Sequence, residues 1–127
     1  MTETKRLVLV DKSAFVRGER AATELGELCL CAVTRLELLY SARSAEDFEA
    51  LEGHLDAFRE LRVDAETLST AAGAQRELAE RGQHRVALPD LLVAACAQQH
   101  SADVLHVDRH FVVLARVLRF EPIRLGD

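Results

Sequence analysis

Four acidic residues have the type and placement to do chemistry: Asp11, Glu37, Asp90 and Asp108. Asp11 ends the apolar run of LVLVDKSAF, and Asp90 lies inside VALPDLLVAA, so both carboxylates have apolar neighbours. Glu37 falls in TRLELLYSAR, and Asp108 closes DVLHVD. Carboxylates that converge repel one another unless cations or protons intervene. Oxygen ligands select hard divalent cations, Mg²⁺ or Mn²⁺, over zinc. Cys29 and Cys31 form C-x-C inside an apolar stretch, which is not the C-x-x-C of redox and zinc sites. A carboxylate-held Mg²⁺ pair suits phosphodiester cleavage, one ion activating water and the other steadying the leaving oxygen.

Each acid also has a structural reading. Asp11 and Asp108 can cap the helices that follow them. Glu37 can complete a capping box with Thr34, and Asp90 can complement a helix dipole. What separates the two readings is whether the fold brings the four together.

The apolar runs at 7–10 and 28–33 are continuous rather than alternating, as in strands covered on both faces of a parallel sheet. Shorter strands are expected at 61–63, 104–107 and 122–125. Helical patterns occupy 34–43, 44–60, 64–81, 89–100 and 109–118. Asp64 caps the third of these, Gly82 stops it, and Pro89 suits the first turn of the fourth. Strands alternating with helices predict an α/β fold, a three-layer α/β/α sandwich around a parallel sheet of about five strands. No linker interrupts the pattern, so residues 1–127 are expected to form one domain.

In such a sheet the strands end on one side, and ligands bind outside those ends. Asp11 and Asp108 follow strands, and Glu37 opens the helix after the second strand. Asp90 follows a helix instead. The helix at 64–81 descends roughly 25 Å at 1.5 Å per residue. An extended 82–88 can climb back roughly 23 Å. Asp90 then starts a second descending helix at the same rim.

The chain has 127 residues with 21 acidic and 16 basic side chains, a net charge of −5 that argues against an obvious polyanion-binding surface and favours a basic protein partner. Local clusters of Arg and Lys can still meet nucleic acid. No apolar stretch reaches the ~18 residues of a membrane helix, and the run before Asp11 is too short for a secretion signal of about 7–15. A cytoplasmic protein with buried, reduced Cys29, Cys31 and Cys96 is expected.

The motifs DKSAF, TRLELLYSAR, LPDLLVAACA and HVDRHF, in this order and spanning nearly the whole chain, resemble the PIN-domain ribonucleases, most closely the VapC-type toxins of bacterial toxin–antitoxin pairs. The resemblance implies a Mg²⁺- or Mn²⁺-dependent endoribonuclease acting on structured RNA, transfer or ribosomal. It implies inhibition by a cognate antitoxin, and dimers. The family's acids fall on Asp11, Glu37, Asp90 and Asp108, and its small hydroxyl residue falls on Ser13. That hydroxyl can orient a carboxylate or a water. Two positions depart from the family pattern. Residue 106 is His where Thr or Ser is frequent, and residue 110 is His where many members carry a further acid. His106 reads as a satisfied buried histidine and His110 as a helix-surface residue, and neither is assigned as a base.

Lys12, Arg35 and Arg109 lie beside the motif acids and are candidates to touch the RNA backbone, or are solvated surface charge. With no Trp and one Tyr, base stacking has little support, so RNA shape is the expected target. An Arg-bearing antitoxin tail could occupy the acidic mouth. The stripe Phe48, Leu51, Leu55 and Phe58 is either its groove or ordinary core. Two rival readings are weaker. A phosphatase with Asp11 as nucleophile needs a second Asp two residues on, where Ser13 stands. A non-catalytic metal-binding module does not need all four acids.

Overall fold

Val8, Leu9 and Val10 are completely buried, and the sheet is built around them. The computed structural model describes residues 5–18 and 24–125. Strand β1 (Leu7–Val10) pairs in parallel with β2 (Glu27–Cys31) on one side and β4 (Asp103–His106) on the other. β3 (Arg59–Leu61) joins β2, and β5 (Pro122–Arg124) joins β4, giving the order β3-β2-β1-β4-β5.

Alternate strand residues point to opposite layers. Val8, Val10, Leu30 and Leu105 meet α1 (Lys12–Gly18), α2 (Ala32–Tyr40) and α3 (Ala45–Leu55) through Ala14, Leu38, Leu39 and Leu55. Leu9, Cys29, Cys31 and Val104 meet α4 (Ala65–Glu80), α5 (Leu88–Gln99) and α6 (His110–Leu114) through Ala71, Leu78, Val93 and Phe111. The result is the three-layer α/β/α sandwich. Both faces of β1 are covered, which is why its sequence is a continuous apolar run.

Several boundaries differ from the sequence pattern. Helix α1 follows β1 at once, because the Asp11 carbonyl accepts from the N–H groups of Ala14 and Phe15. Its short polar–apolar stretch carries little periodicity of its own. β2 ends at Cys31 rather than 33, since Ala32 and Val33 already open α2. β3 lies at 59–61 instead of 61–63, and α6 is shorter than 109–118. Thr34 is therefore inside α2, its N-cap is Cys31, and the expected capping box with Glu37 is absent. A capping box does form at Asp64 with Thr67, and Gly82 at φ +69° follows the end of α4. Gly26 is required for a different reason: a Cβ there would come 2.3 Å from the Arg6 carbonyl oxygen.

Of the apolar stripe on α3 and beyond, Leu55 is buried, Leu51 and Phe58 pack partly buried against it, and Phe48 is 40% exposed. The stripe is mostly core. The three cysteines are free and buried, as expected. Among the described residues, no helix is long and apolar enough to cross a membrane.

Candidate active site

The ends of β1 and β4, the second turn of α2 and the first turn of α5 surround one cavity of about 490 Å³. Asp11, Glu37, Asp90 and Asp108 all line it, with Lys12 and Ser13 beside them. Asp11 and Asp108 arrive because parallel strands deliver their C-terminal ends to one rim. Glu37 arrives on the second turn of α2. Asp90 arrives because the segment after α4 climbs back before Pro89 starts α5.

Asp11 is the most enclosed of the four, 3% exposed. Its backbone N–H donates to the Leu105 carbonyl at 2.9 Å, extending the β1–β4 ladder to the site. Its Oδ2 accepts from the Ser13 hydroxyl at 2.7 Å and the Ser13 N–H at 3.0 Å. The same hydroxyl accepts from the Val107 N–H at 3.0 Å, so Ser13 fastens the end of β1 to the chain leaving β4. The other carboxylate oxygen, Oδ1, is buried with no hydrogen-bond partner. Leaving a buried carboxylate oxygen bare costs free energy, and such an atom calls for a ligand.

Asp90 is also buried, at 7% exposure. Burial, reinforced by the charges of Asp11 and Asp108, pushes its carboxyl up to about 7. Burial also works against the Asp108 carboxylate. There the His110 N–H and a hydrogen bond from Asp90 outweigh it and hold the group below the usual range. The two acids are thus pulled apart, Asp90 becoming the more readily protonated of the pair and Asp108 the less. Glu37 is raised too, by burial and by Asp11, with the Lys12 ammonium opposing.

His106 is buried and stacks on Phe111, with ring centroids 5.2 Å apart. Its Nδ1 accepts from the Asp108 N–H at 3.1 Å, which requires a lone pair there, and burial pushes its pKa down. It is a neutral structural histidine that holds the Asp108 backbone. His110 departs from expectation. It is not a plain helix-surface residue: its Nδ1 lies 3.0 Å from Asp90 Oδ2 and 3.8 Å from Asp108 Oδ1. Together Asp90, Asp108 and His110 form the group able to hold a metal ion among the described residues. The sequence signal for this was the place of His110, where the resembled family often carries a further acid, and not the H-x-x-x-H spacing it makes with His106. The spacing does not act as it would on one helix, since the two residues lie on β4 and α6 and only His110 meets the acids.

The three flanking cations part company. Lys12 is on the cavity wall. Arg109 is exposed and lines an adjoining hollow with Ser13, Val107, Asp108 and Arg124. Arg35 is elsewhere: its guanidinium is 2.8 Å from Asp56 and 3.8 Å from Glu52, over a separate hollow lined by Leu55 and Phe58.

A family model described as "PIN domain" matches residues 8–117. The chain belongs to the PIN-domain family. Ribonuclease VapC17 of Mycobacterium tuberculosis is 41% identical over 116 residues, covering 86% of this chain and 87% of that protein. Ribonuclease VapC18 of the same organism is 39% identical over 119 residues, covering 85% and 87%. Among solved structures, VapBC-5 from Mycobacterium tuberculosis, a member of the VapBC family of toxin-antitoxin systems, matches at TM-score 0.74 and 25% identity over 94% of this chain and 99% of that one. PIN-domain nucleases depend in general on divalent metal, and the donor set fits. Asp11, Glu37, Asp90 and Asp108 line one cavity, Asp90 and Asp108 form the tighter group with His110, and Asp11, which with Glu37 lies outside that group, adds a bare carboxylate oxygen. In this PIN domain the acids, the cavity and Asp11 Oδ1, the buried side-chain oxygen without a partner among the described residues, coincide.

Proposed function

We propose that the chain is a VapC-type endoribonuclease toxin of a type II toxin–antitoxin pair. It cleaves structured RNA, transfer or ribosomal, with Mg²⁺ or Mn²⁺ as cofactor. It acts as a single domain over residues 1–127 in the cytoplasm. The observation that carries this reading is the bare Oδ1 of buried Asp11 at a cavity walled by Glu37, Asp90 and Asp108.

When bound, a divalent cation supplies an activated water and neutralises charge developing on the phosphodiester. The chain's own residues do the rest. Asp11, Glu37, Asp90 and Asp108 would hold the cation. Ser13 fixes Asp11 through Oδ2 so that Oδ1 is presented in one orientation. The raised Asp90 carboxyl would release any proton it carries as its carboxylate is engaged. Lys12 on the cavity wall and Arg109 over the adjoining hollow would meet phosphates that the acids otherwise repel. The Asp11-nucleophile reading has no support here, because the residue two positions on is Ser13 and it serves as the hydrogen-bond donor to Asp11.

The acidic mouth suits the basic tail of a VapB-type antitoxin, which would displace cation and RNA together. Homodimers, and hetero-oligomers with the antitoxin, complete the assembly we expect. Overproduction of the chain alone should arrest bacterial growth with RNA cleavage. Coexpression of its antitoxin should relieve the arrest, and Asp11→Asn should not cause it. Normal growth with folded, cation-binding protein would overturn the toxin reading.

A further inference from the structure

Position 110 changes the chemistry of the donor set. An Asp there would keep the site all-oxygen. An imidazole brings a borderline nitrogen donor, which first-row transition ions take up in preference to Mg²⁺. The placement of the ring is specific. Its Nδ1 is 3.0 Å from Asp90 Oδ2 and 3.8 Å from Asp108 Oδ1, and one ligand atom from each of the three residues falls within 4.8 Å of the others. Two atoms bonded at ~2.1 Å to one ion are about 3 Å apart at right angles and about 4.2 Å apart when opposite. The Asp90–His110 and Asp108–His110 separations lie in that interval. Asp11 adds an independent sign of a missing ligand, since its buried Oδ1 has no partner and the residue lines the same cavity as Asp90 and Asp108.

We infer that His110 Nδ1 is a ligand of the bound cation beside Asp90 and Asp108, and that it biases this site from Mg²⁺ toward first-row transition ions such as Mn²⁺. The inference rests on the metal-dependent reading given above. With the ring proton on Nδ1 the imidazole can donate to Asp90 Oδ2, and ligation through Nδ1 needs the other tautomer, with the proton on Nε2. The backbone is already fixed for this role. The His110 N–H donates to Asp108 Oδ1 at 2.9 Å, tying the histidine to one of its fellow ligands. The competing role is positioning, in which His110 only hydrogen-bonds Asp90 and never touches the ion.

The two roles separate by direct binding measurements on the full chain. Mn²⁺ and Mg²⁺ affinities are measured by calorimetry for wild type, His110→Asp and His110→Asn. Electron spin echo spectroscopy of bound Mn²⁺ reports whether nitrogen is coupled to the ion. The wild type should show a nitrogen coupling that both variants lose. The ratio of Mn²⁺ to Mg²⁺ affinity should fall by about tenfold or more in His110→Asp, which restores an all-oxygen set. Circular dichroism checks that each variant is folded, and the wild-type spectrum decides the point even if a variant is not. Bound Mn²⁺ without nitrogen coupling in the wild type would overturn ligation by His110 while leaving the metal-dependent reading intact. Failure of the wild type to bind either ion would overturn both.

Discussion

Ser13 satisfies one oxygen of Asp11 twice, through its hydroxyl at 2.7 Å and its N–H at 3.0 Å, and leaves the other oxygen buried and bare. This asymmetry turns a strand-ending acid into an oriented ligand. Helix α1 makes it possible, because the turn after Asp11 brings Ser13 back over the carboxylate.

The first prediction concerns this pair. Asp11→Asn should abolish RNA cleavage, by at least about a hundredfold, with the fold kept, because an amide is a poor ligand for a hard cation. Ser13→Ala removes the hydroxyl's bonds to Asp11 and to the Val107 N–H. It should cost about 1–2 kcal/mol of stability and lower cleavage less than Asp11→Asn does. Urea melts and a single-turnover cleavage assay measure both. Near-wild-type cleavage by Asp11→Asn in Mg²⁺ would remove Asp11 from the site.

Glu37 does not take the capping role that T-x-x-E suggested. Its place in α2 is past the first turn, and α2 starts at Ala32 with no side-chain cap. Glu37→Gln should therefore leave stability within about 0.5 kcal/mol of wild type while cleavage falls steeply. Full cleavage would take Glu37 out of the site, and a large loss of stability would return it to a structural role.

The cations at the mouth should behave differently from one another. Lys12→Ala and Arg109→Ala should weaken RNA binding and lower its salt dependence by about one counterion each. Arg35→Ala should leave RNA binding unchanged, since its guanidinium is engaged by Asp56 and Glu52. It should cost at most about 1 kcal/mol of stability, because the pair is partly exposed. Filter binding across a salt series tests all three. A salt slope altered most by Arg35→Ala would mean the RNA path runs over α3 instead.

The sheet was legible in the sequence because strands buried on both faces read as continuous apolar runs, as all of β1 and Leu28–Cys31 of β2 do, with Val104 and Leu105 the apolar centre of β4. Convergence of the acids was legible from topology alone, including the detour that returns Asp90 to the rim. What was not legible depends on contacts between distant residues. T-x-x-E suggested a cap at Thr34, yet Thr34 is buried inside α2, where packing and the end of β2 set the helix start three residues earlier. Arg35 is close to Glu37 in sequence, but α3 claims its guanidinium. His110 reads as surface on a short helix, and only the positions of α5 and Asp90 show that its ring meets the acids.

The last prediction follows from Asp90 in the absence of cation. Its folded-state carboxyl is pushed up to about 7, first by burial and then by Asp11 and Asp108. An unfolded Asp titrates near ~3.9. The folded state then binds more protons than the unfolded one between these values. Stability must fall as pH rises from about 4 to about 7, the reverse of a salt-bridged acid. In chelator the wild type should lose on the order of 2 kcal/mol across that window, or several degrees of Tm. Asp90→Asn removes the titrating group, so its Tm should be flatter with pH and higher than wild type in chelator at pH 8. Cation binds only the folded state and should restore about 2.7 kcal/mol to the wild type at a hundredfold excess over its Kd. Asp90→Asn should gain less, because one ligand is gone. Calorimetric melts of both proteins from pH 5 to 8, with chelator and with Mn²⁺, carry the test. Equal cation-induced shifts in the two proteins, or a wild-type Tm in chelator that rises through this range, would mean that Asp90 is neither a cation ligand nor held protonated by its neighbours.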